Sequence, residues 1–268
     1  MHTHQAANGH EVVQFLLIIG FSLLAVLYIG AVIFTNRNYK KWAMHRTICW
    51  CIGILCAAVA VVGPLADRAH EDFTMHMIGH LLLGMLAPLF IVLSAPITLL
   101  LRTFSTKSAR LLTKVLKSWP ARIFTHPIVA TLLNMGGLWL LYTTDLYALM
   151  HDNSVVSFFV HVHILLAVYL FTVSMIYIDP VFHRKSFMYR AIVLILALAS
   201  HGILAKYLYA NPPSGVILEQ AQQGSIVMYY GGDLIDAIII FILCLHWYRA
   251  TKPREVKQQA YTIDLGDN

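Results

Sequence analysis

The segment TMHMIGHLLLGMLAPLFIVLSAPITLLL, residues 74–101, contains no Asp, Glu, Lys or Arg. About 20 consecutive apolar residues are enough for an α-helix to cross the hydrocarbon core of a bilayer, so this segment is predicted to span a membrane. It carries two histidines, His76 and His80, and ionisable groups inside a membrane usually mark a functional site. It also contains Pro88 and Pro96. Each proline removes a helical hydrogen bond, so we expect a kinked or broken helix whose freed carbonyls are satisfied by neighbours or water.

The same apolar character extends along the whole chain. Of its 268 residues, 59% are hydrophobic and only 12% are charged, which is too apolar for a soluble domain of this size. Apolar stretches of about 18 residues or more indicate spanning helices. Seven are predicted, at residues 12–34, 47–64, 74–101, 127–142, 154–178, 187–209 and 227–248, and the fourth is the shortest. The predicted fold is an all-α polytopic membrane protein, a seven-transmembrane-helix bundle forming one domain over residues 1–252, with a flexible cytoplasmic tail over residues 253–268.

The positions of the basic residues predict the orientation of this bundle. They follow the odd-numbered spans: Arg37, Lys40, Lys41 and Arg46; then Arg102, Lys107, Arg110, Lys114, Lys117 and Arg122; then Arg184, Lys185 and Arg190; and finally Lys252, Arg254 and Lys257. The positive-inside rule therefore places the N-terminus outside and the C-terminus in the cytoplasm. The net charge of +6 thus indicates topology and contact with membrane lipid, and it does not indicate nucleic-acid binding.

One basic segment is predicted to lie on the membrane surface. In residues 105–119, apolar side chains recur at helical spacing, at Leu112, Val115, Leu116 and Trp119. The other face carries lysines and an arginine. This pattern is typical of an interfacial amphipathic helix.

Several predicted spans carry polar side chains at a similar depth. With a rise of about 1.5 Å per residue, five of them lie about 9 to 13 Å below the outer ends of their spans. The candidate metal-ligating residues are His76, His80, His161, His163, His201, Asp233 and Asp236. Such a cluster in the outer half of the membrane indicates a metal, a haem or a proton path.

The spacing of these residues limits which of them can share a centre. His76 and His80 are four apart and lie on one helix face, as do Asp233 and Asp236, which are three apart. His161 and His163 are two apart and point in different directions, so at most one of them faces the common centre.

The chemistry of these side chains is that of a transition-metal site. Imidazole suits copper, zinc, iron and nickel, and a carboxylate often orients a ligating histidine. Asp233 could instead cap the seventh helix near its start. Three methionines near the outer ends of the third and seventh spans offer thioethers, which favour Cu(I), but methionine serves equally as packing filler. They are Met75, Met77 and Met228.

Six segments together resemble one known family, the CtaG-type membrane proteins. They are HMIGHLLLGMLAPLFIVLSAPITLLLR (76–102), HP (126–127), HVHILLAVYLF (161–171), IDP (178–180), ASHGILAKYLY (199–209) and MYYGGDLIDA (228–237). The resemblance covers roughly residues 10–250. It is the combination of segments that is specific, since each one alone is a weak signal.

The resemblance implies a function. CtaG-type proteins are assembly factors for caa-type cytochrome c oxidases and are associated with formation of the copper-B centre in subunit I. By resemblance, this chain is a multi-pass protein of the bacterial plasma membrane that binds copper near the outer face and acts as an assembly chaperone, not as an enzyme. The implied partners are oxidase subunit I and an extracytoplasmic copper donor, and a homo-oligomer is left open. His76, His80, His163, His201 and Asp233 carry this inference most directly, followed by Asp236.

Two other classes of function compete with this hypothesis. The first is a haem or quinone redox protein. Two histidines on facing helices could hold a haem, although the inner side lacks a convincing buried histidine pair to match. A transporter of copper or protons would need polar groups through the inner half of the membrane, where the spans offer mostly thiols and small hydroxyls.

Overall fold

The structure, a computed structural model, describes residues 2–253 and, within them, side chains from residue 12 onward. These residues form helices, and no strand occurs among them. The helices are α1 (His2–Asn38), α2 (Met44–Val61), α3 (Pro64–Ala69), α4 (Phe73–Leu81), α5 (Ala87–Leu93), α6 (Pro96–Thr103), α7 (Thr106–Leu116), α8 (Trp119–Phe124), α9 (Pro127–Thr143), α10 (Leu146–Asp152), α11 (Ser154–Met175), α12 (Phe187–Ala210) and α13 (Leu218–Thr251). The tail predicted after the last span lies, from residue 254 on, outside the described residues.

Six helical segments in the described part of the chain are long and apolar enough to cross a membrane, where the sequence predicted seven. They are Val12–Asn38, Met44–Val61, Phe73–Leu93, Ser154–Met175, Phe187–Ala210 and Leu218–Thr251. The fourth predicted span corresponds to α9, an apolar helix of 17 residues. All-helical architecture is therefore confirmed, and α9 is shorter than the other apolar segments.

The third span is interrupted at both of its prolines, as expected. Ahead of Pro88, residues Leu82–Leu86 form a π-helical turn in which the Ala87 N–H donates to the Leu82 carbonyl. A π-helical turn at this position accommodates Pro88, which has no backbone N–H to donate in the α-helical pattern. Ahead of Pro96 the helix stops, and Ala95 adopts a left-handed conformation with φ 54°.

Polar side chains satisfy the backbone groups freed by this second break. The Tyr28 hydroxyl donates to the Ser94 carbonyl at 2.8 Å. At the start of α6, the Asp179 carboxylate accepts from the backbone N–H groups of Ile97 and Thr98, at 3.1 and 2.8 Å. The expectation that neighbouring groups would satisfy the broken helix is therefore confirmed, since the unpaired groups would otherwise be costly in a membrane.

The last helix begins earlier than predicted. α13 starts at Leu218, whereas the seventh span was predicted to start at residue 227. The intervening residues 218–226 include Glu219, Ala221 and three glutamines, which favour helix, so the helix extends beyond its apolar stretch. Asp233 consequently lies well inside α13, and its alternative role as a cap near the helix start is wrong.

The basic segment after the third span is helical, as predicted, but consists of two short helices. α7 covers Thr106–Leu116, and a turn at Lys117 and Ser118 leads into α8 at Trp119. Pro120 at the second position of α8 explains the division, because proline cannot continue a helix but fits its first turn. The predicted position of this segment on the membrane surface stays a prediction.

The packing of the helices places four of them around one region. α13 packs against both α12 and α4, and α9 packs against α11 and α12. α2 packs against α5, and α1 lies at the edge, against α2 and α6. Large apolar side chains on the outward faces are exposed, among them Leu27, Phe159, Ile195, Leu234 and Phe241. A surface of this kind is stable against lipid, whereas a monomeric soluble protein rarely has one.

Candidate functional site

A small cavity lies where α4, α9, α12 and α13 meet, with α11 on a further side. Its lining is mostly apolar, but α4, α9, α12 and α13 each contribute one buried polar side chain: His80, Asn134, His201 and Asp236. Its volume is about 20 Å³, measured as the space open to the centre of a water molecule. One water requires roughly 10 to 15 Å³ on this measure. The cavity therefore has the size of a single water molecule or metal ion.

Three of the four imidazole nitrogens at this cavity are buried without a hydrogen-bond partner in the described part of the chain. Both ring nitrogens of His80 and Nε2 of His201 are buried without one. Most buried polar side-chain atoms in proteins are hydrogen-bonded, so exceptions call for an explanation such as an ion. Histidine binds a metal ion as a neutral imidazole, through the ring nitrogen that carries a free lone pair. The chemistry of this donor set therefore fits a transition-metal cation.

Two glycines allow these imidazoles to reach the cavity. A Cβ atom on Gly84, within the π-helical turn, would stand 3.0 Å from Cε1 and from Nδ1 of His80. A Cβ atom on Gly232 of α13 would stand 2.5 Å from Cε1 of His201. Each ring thus lies directly over a glycine backbone. The absence of a side chain at these two positions makes the observed ring placement sterically allowed.

His76 and His161 lie beside the cavity and do not line it. Nε2 of His76 is 3.1 Å from the Tyr142 hydroxyl. Nδ1 of His161 is 2.7 Å from the Ser157 carbonyl oxygen. Both residues therefore make their hydrogen bonds to groups outside the cavity lining.

His163 and Asp233 face away from the cavity. The exposed His163 ring reaches α9, where Nε2 donates to the Leu133 carbonyl at 3.2 Å. This agrees with the expectation that His161 and His163 point in different directions. Asp233 is exposed on α13, whereas Asp236 on the same helix is buried.

The seven candidate residues consequently do not form one coordination sphere. Three of them line the cavity, two lie beside it and two lie on its outer side. In the described residues, no group of three or more His, Cys, Asp or Glu side chains is arranged as a formed metal site. A metal at the cavity would therefore need ligands of other types or a small movement of side chains.

Three cavity residues were not found by sequence reasoning. Asn134 is a lone amide inside apolar α9, and that isolation was a signal available in the sequence. Met85 and Met135 also line the cavity. Of the three methionines considered instead, Met77 and Met228 are fully buried in an apolar packing cluster, and Met75 does not line the cavity either. Met85 follows His80 by five residues, a spacing that an α-helix does not align but a π-helical turn can.

Comparison with known proteins agrees with this structural description. Residues 26–250 match the family described as cytochrome c oxidase caa3 assembly factor (Caa3_CtaG). The chain belongs to this family. The family's description names assembly of a cytochrome c oxidase of the caa3 type.

This chain is similar to curated proteins of mycobacteria. An uncharacterized protein of Mycobacterium leprae is 26% identical over 250 residues, which cover 85% of this chain and 38% of that protein. An uncharacterized protein of Mycobacterium bovis is 30% identical over 167 residues, which cover 59% of this chain and 25% of that protein. The CtaG-type chain thus spans well under half the length of either relative. No solved structure matches it.

Proposed function

We propose that this CtaG-type protein binds copper in the cavity between α4, α9, α12 and α13 and helps form the copper-B centre in subunit I of a caa-type cytochrome c oxidase. The observation that carries the proposal is the set of buried, unpaired imidazole nitrogens of His80 and His201 at an ion-sized cavity. Copper is the cargo of the protein, and the chain acts as a chaperone and not as an enzyme.

The other cavity residues supply the remaining chemistry. Met85 and Met135 offer thioethers, which together with imidazole select Cu(I) among biological cations. The Asp236 carboxylate balances the positive charge or orients an imidazole. Asn134 offers a carbonyl oxygen and an amide for hydrogen bonds. Ligand exchange between such soft, neutral donors and the histidines of the partner would pass copper on.

The size of the cavity favours an ion over a haem. Sites for organic cofactors have volumes of about 300 Å³ or more, whereas this cavity admits one water-sized guest. A redox protein with haem between His80 and His201 would need the helices to separate. The ion-binding function is therefore better supported than the haem-binding alternative.

The proposed topology puts the cavity near the extracytoplasmic face of the bacterial plasma membrane. At about 1.5 Å per residue, the 17 residues of α9 extend about 25 Å, enough to cross the apolar core with slight thinning of the bilayer. Seven spans result, with the N-terminus outside and the C-terminus in the cytoplasm. His80 then lies near the outer end of the third span, where an extracytoplasmic donor delivers copper.

Metal analysis of the purified full-length chain tests this proposal. Wild type is compared with a His80→Ala, His201→Ala double variant and with His45→Ala, a control at an exposed histidine near the start of α2. We expect copper in wild type and the control, and loss of the cavity copper in the double variant. Cells carrying the double variant should also assemble an oxidase that lacks copper-B. Unchanged copper content together with normal oxidase assembly would refute the proposal.

A further inference from the structure

A second group of imidazoles lies outside the cavity, around Tyr147. The rings of His70 and His151 have centroids 5.7 Å apart, and those of His76 and His151 are 6.0 Å apart. The Tyr147 ring is 4.4 Å from His151 and 5.1 Å from His76. The three histidines come from separate elements: the turn after α3, the helix α4 and the helix α10. Neither His70 nor His151 belongs to the site described above.

Hydrogen bonding fixes the tautomer of two histidines in this region. Nδ1 of His151 lies 2.9 Å from the Tyr147 carbonyl oxygen, and Nδ1 of His161 lies 2.7 Å from the Ser157 carbonyl oxygen. A carbonyl only accepts, so Nδ1 is the donor in both neutral rings and Nε2 carries the lone pair. Metal-ligating histidines are prepared in this way, with the second ring nitrogen bonded to a carbonyl.

The spacing of the rings allows two of them to share one ion. A metal–nitrogen distance of about 2 Å places two ligating rings with their centroids up to about 6 Å apart. Both histidine pairs around His151 fall within that reach. Among the described residues, no three His, Cys, Asp or Glu side chains are arranged to hold a metal ion. The ring nitrogens of the three histidines therefore do not point at one common centre in this structure. Binding one ion therefore requires side-chain rotation, above all of the exposed His70, and exposed side chains change rotamer readily.

Burial and proximity link this group to the cavity. His70 is exposed, His151, His76 and His161 are half-buried, and His80 and His201 are buried. The rings of His76 and His80 both lie against Tyr142, with centroids 6.0 and 6.3 Å from the centroid of its ring. Imidazoles therefore follow one another from the surface to the cavity.

Tyr147 is a neutral member of the group. Burial, and then the nearby carboxylate of Asp72, raise the pKa of its phenol above the ordinary value. It therefore stays protonated and serves as a packing partner of the rings and not as an anionic ligand.

We infer that His70, His76 and His151 form an outer copper site, which takes copper from the extracytoplasmic side and passes it on to the cavity. The inference rests on the proposed copper-binding function and adds to it a place of acquisition. An exposed imidazole site can accept a cation from a donor that cannot reach the buried cavity.

Copper titration of four purified full-length chains tests the inference. All of them carry His2, His4 and His10 replaced by alanine, because these tail histidines would also bind added copper. The first has no further change. The second carries His70→Ala and His151→Phe, the third carries His80→Ala and His201→Ala, and the fourth carries all of these changes. His151→Phe keeps an aromatic ring against Tyr147 and so preserves packing. Cu(II) alone, and Cu(I) alone under reductant, are the probes.

We expect the third chain to keep about one copper ion, with nitrogen hyperfine coupling in its Cu(II) spectrum, and the fourth chain to lose it. Equal copper binding by the third and fourth chains would overturn the inference. Equal copper binding by the first and third chains would instead overturn the cavity proposal. In that case the outer site is tested by comparing the copper binding of the second chain with that of the first, and equal binding by those two would overturn the inference.

A footprint on the chain with an intact outer site guards against misfolded variants. Diethyl pyrocarbonate modifies accessible histidines, and copper bound at the outer site should protect His70 and His151 while leaving His45 reactive. Protection of neither residue at saturating copper would also overturn the inference.

Discussion

The His201 ring lies against the backbone of Gly232, so that a Cβ atom at position 232 would stand 2.5 Å from Cε1 of the imidazole. The same Cβ would stand 3.1 Å from Nδ1. Both distances are shorter than a van der Waals contact. The placement of one candidate ligand on α12 therefore depends on the absence of a side chain on α13.

Gly232→Ala should consequently displace the His201 ring from the cavity. We expect copper affinity to fall at least about tenfold, as when a residue that orients a ligand is lost, and stability to fall by about 1 to 3 kcal/mol from overpacking. Isothermal titration with copper and thermal unfolding in detergent measure the two effects. Gly136→Ala is the matched control, because nothing lies within 4 Å of a Cβ atom there. Wild-type affinity in Gly232→Ala would contradict the assigned role of His201.

His163→Ala should leave copper binding unchanged. Its ring is exposed and donates to the Leu133 carbonyl on α9, so it contributes to helix packing and not to the cavity. The loss of this hydrogen bond should reduce stability by about 1 kcal/mol. Copper content and melting temperature are measured beside His201→Ala. If His163→Ala loses cavity copper as His201→Ala does, the assignment of His163 to packing is incorrect.

The two aspartates of α13 should differ in their effect on the cavity. Asp236 is buried at the cavity, whereas Asp233 is exposed one helical turn away. Asp236→Asn should lower copper affinity by about 10- to 100-fold, the range for loss of a carboxylate that supports a metal ligand. Asp233→Asn acts only at longer range and should change it much less. A larger effect at position 233 would reverse this ranking.

Tyr28→Phe should destabilise the protein without changing its copper binding. The Tyr28 hydroxyl is the donor to the Ser94 carbonyl at the broken third span, and it also accepts from Nε1 of Trp42 at 3.2 Å. Leaving a buried carbonyl unsatisfied costs about 1 to 3 kcal/mol. Thermal unfolding of the purified chain measures the loss. Tyr248→Phe, at an exposed side chain, is the control and should melt as wild type does.

Local sequence was sufficient to predict the helices and the break in the third span. Hydropathy identified the apolar helices to within a few residues in most cases, because an apolar run must cover a bilayer whatever its neighbours are. Pro88 and Pro96 predicted the interruption, because a missing N–H acts within the same turn. The start of α13 at Leu218 was missed, since helix propensity carries a helix past its apolar stretch.

The candidate site was predictable only in part. His80, His201 and Asp236 were identified because ionisable side chains in apolar spans are rare. His163 lies at a similar predicted depth and was included among the candidate ligands for that reason. Depth in the membrane, however, does not determine the direction in which a side chain points. Met85 was missed because the π-helical turn, and not regular α-helical spacing, brings it to the cavity.

By itself the sequence determined the class of the protein, its apolar helices, its broken third span and its membership of the CtaG-type family, because these depend on composition and on residues close together in the chain. Only the tertiary structure decided which imidazoles share a cavity, which glycines make room for them, and that His70 and His151 approach His76. These relationships join residues on different helices. They depend on how each helix is rotated about its axis, and packing between helices, not hydropathy, sets that rotation.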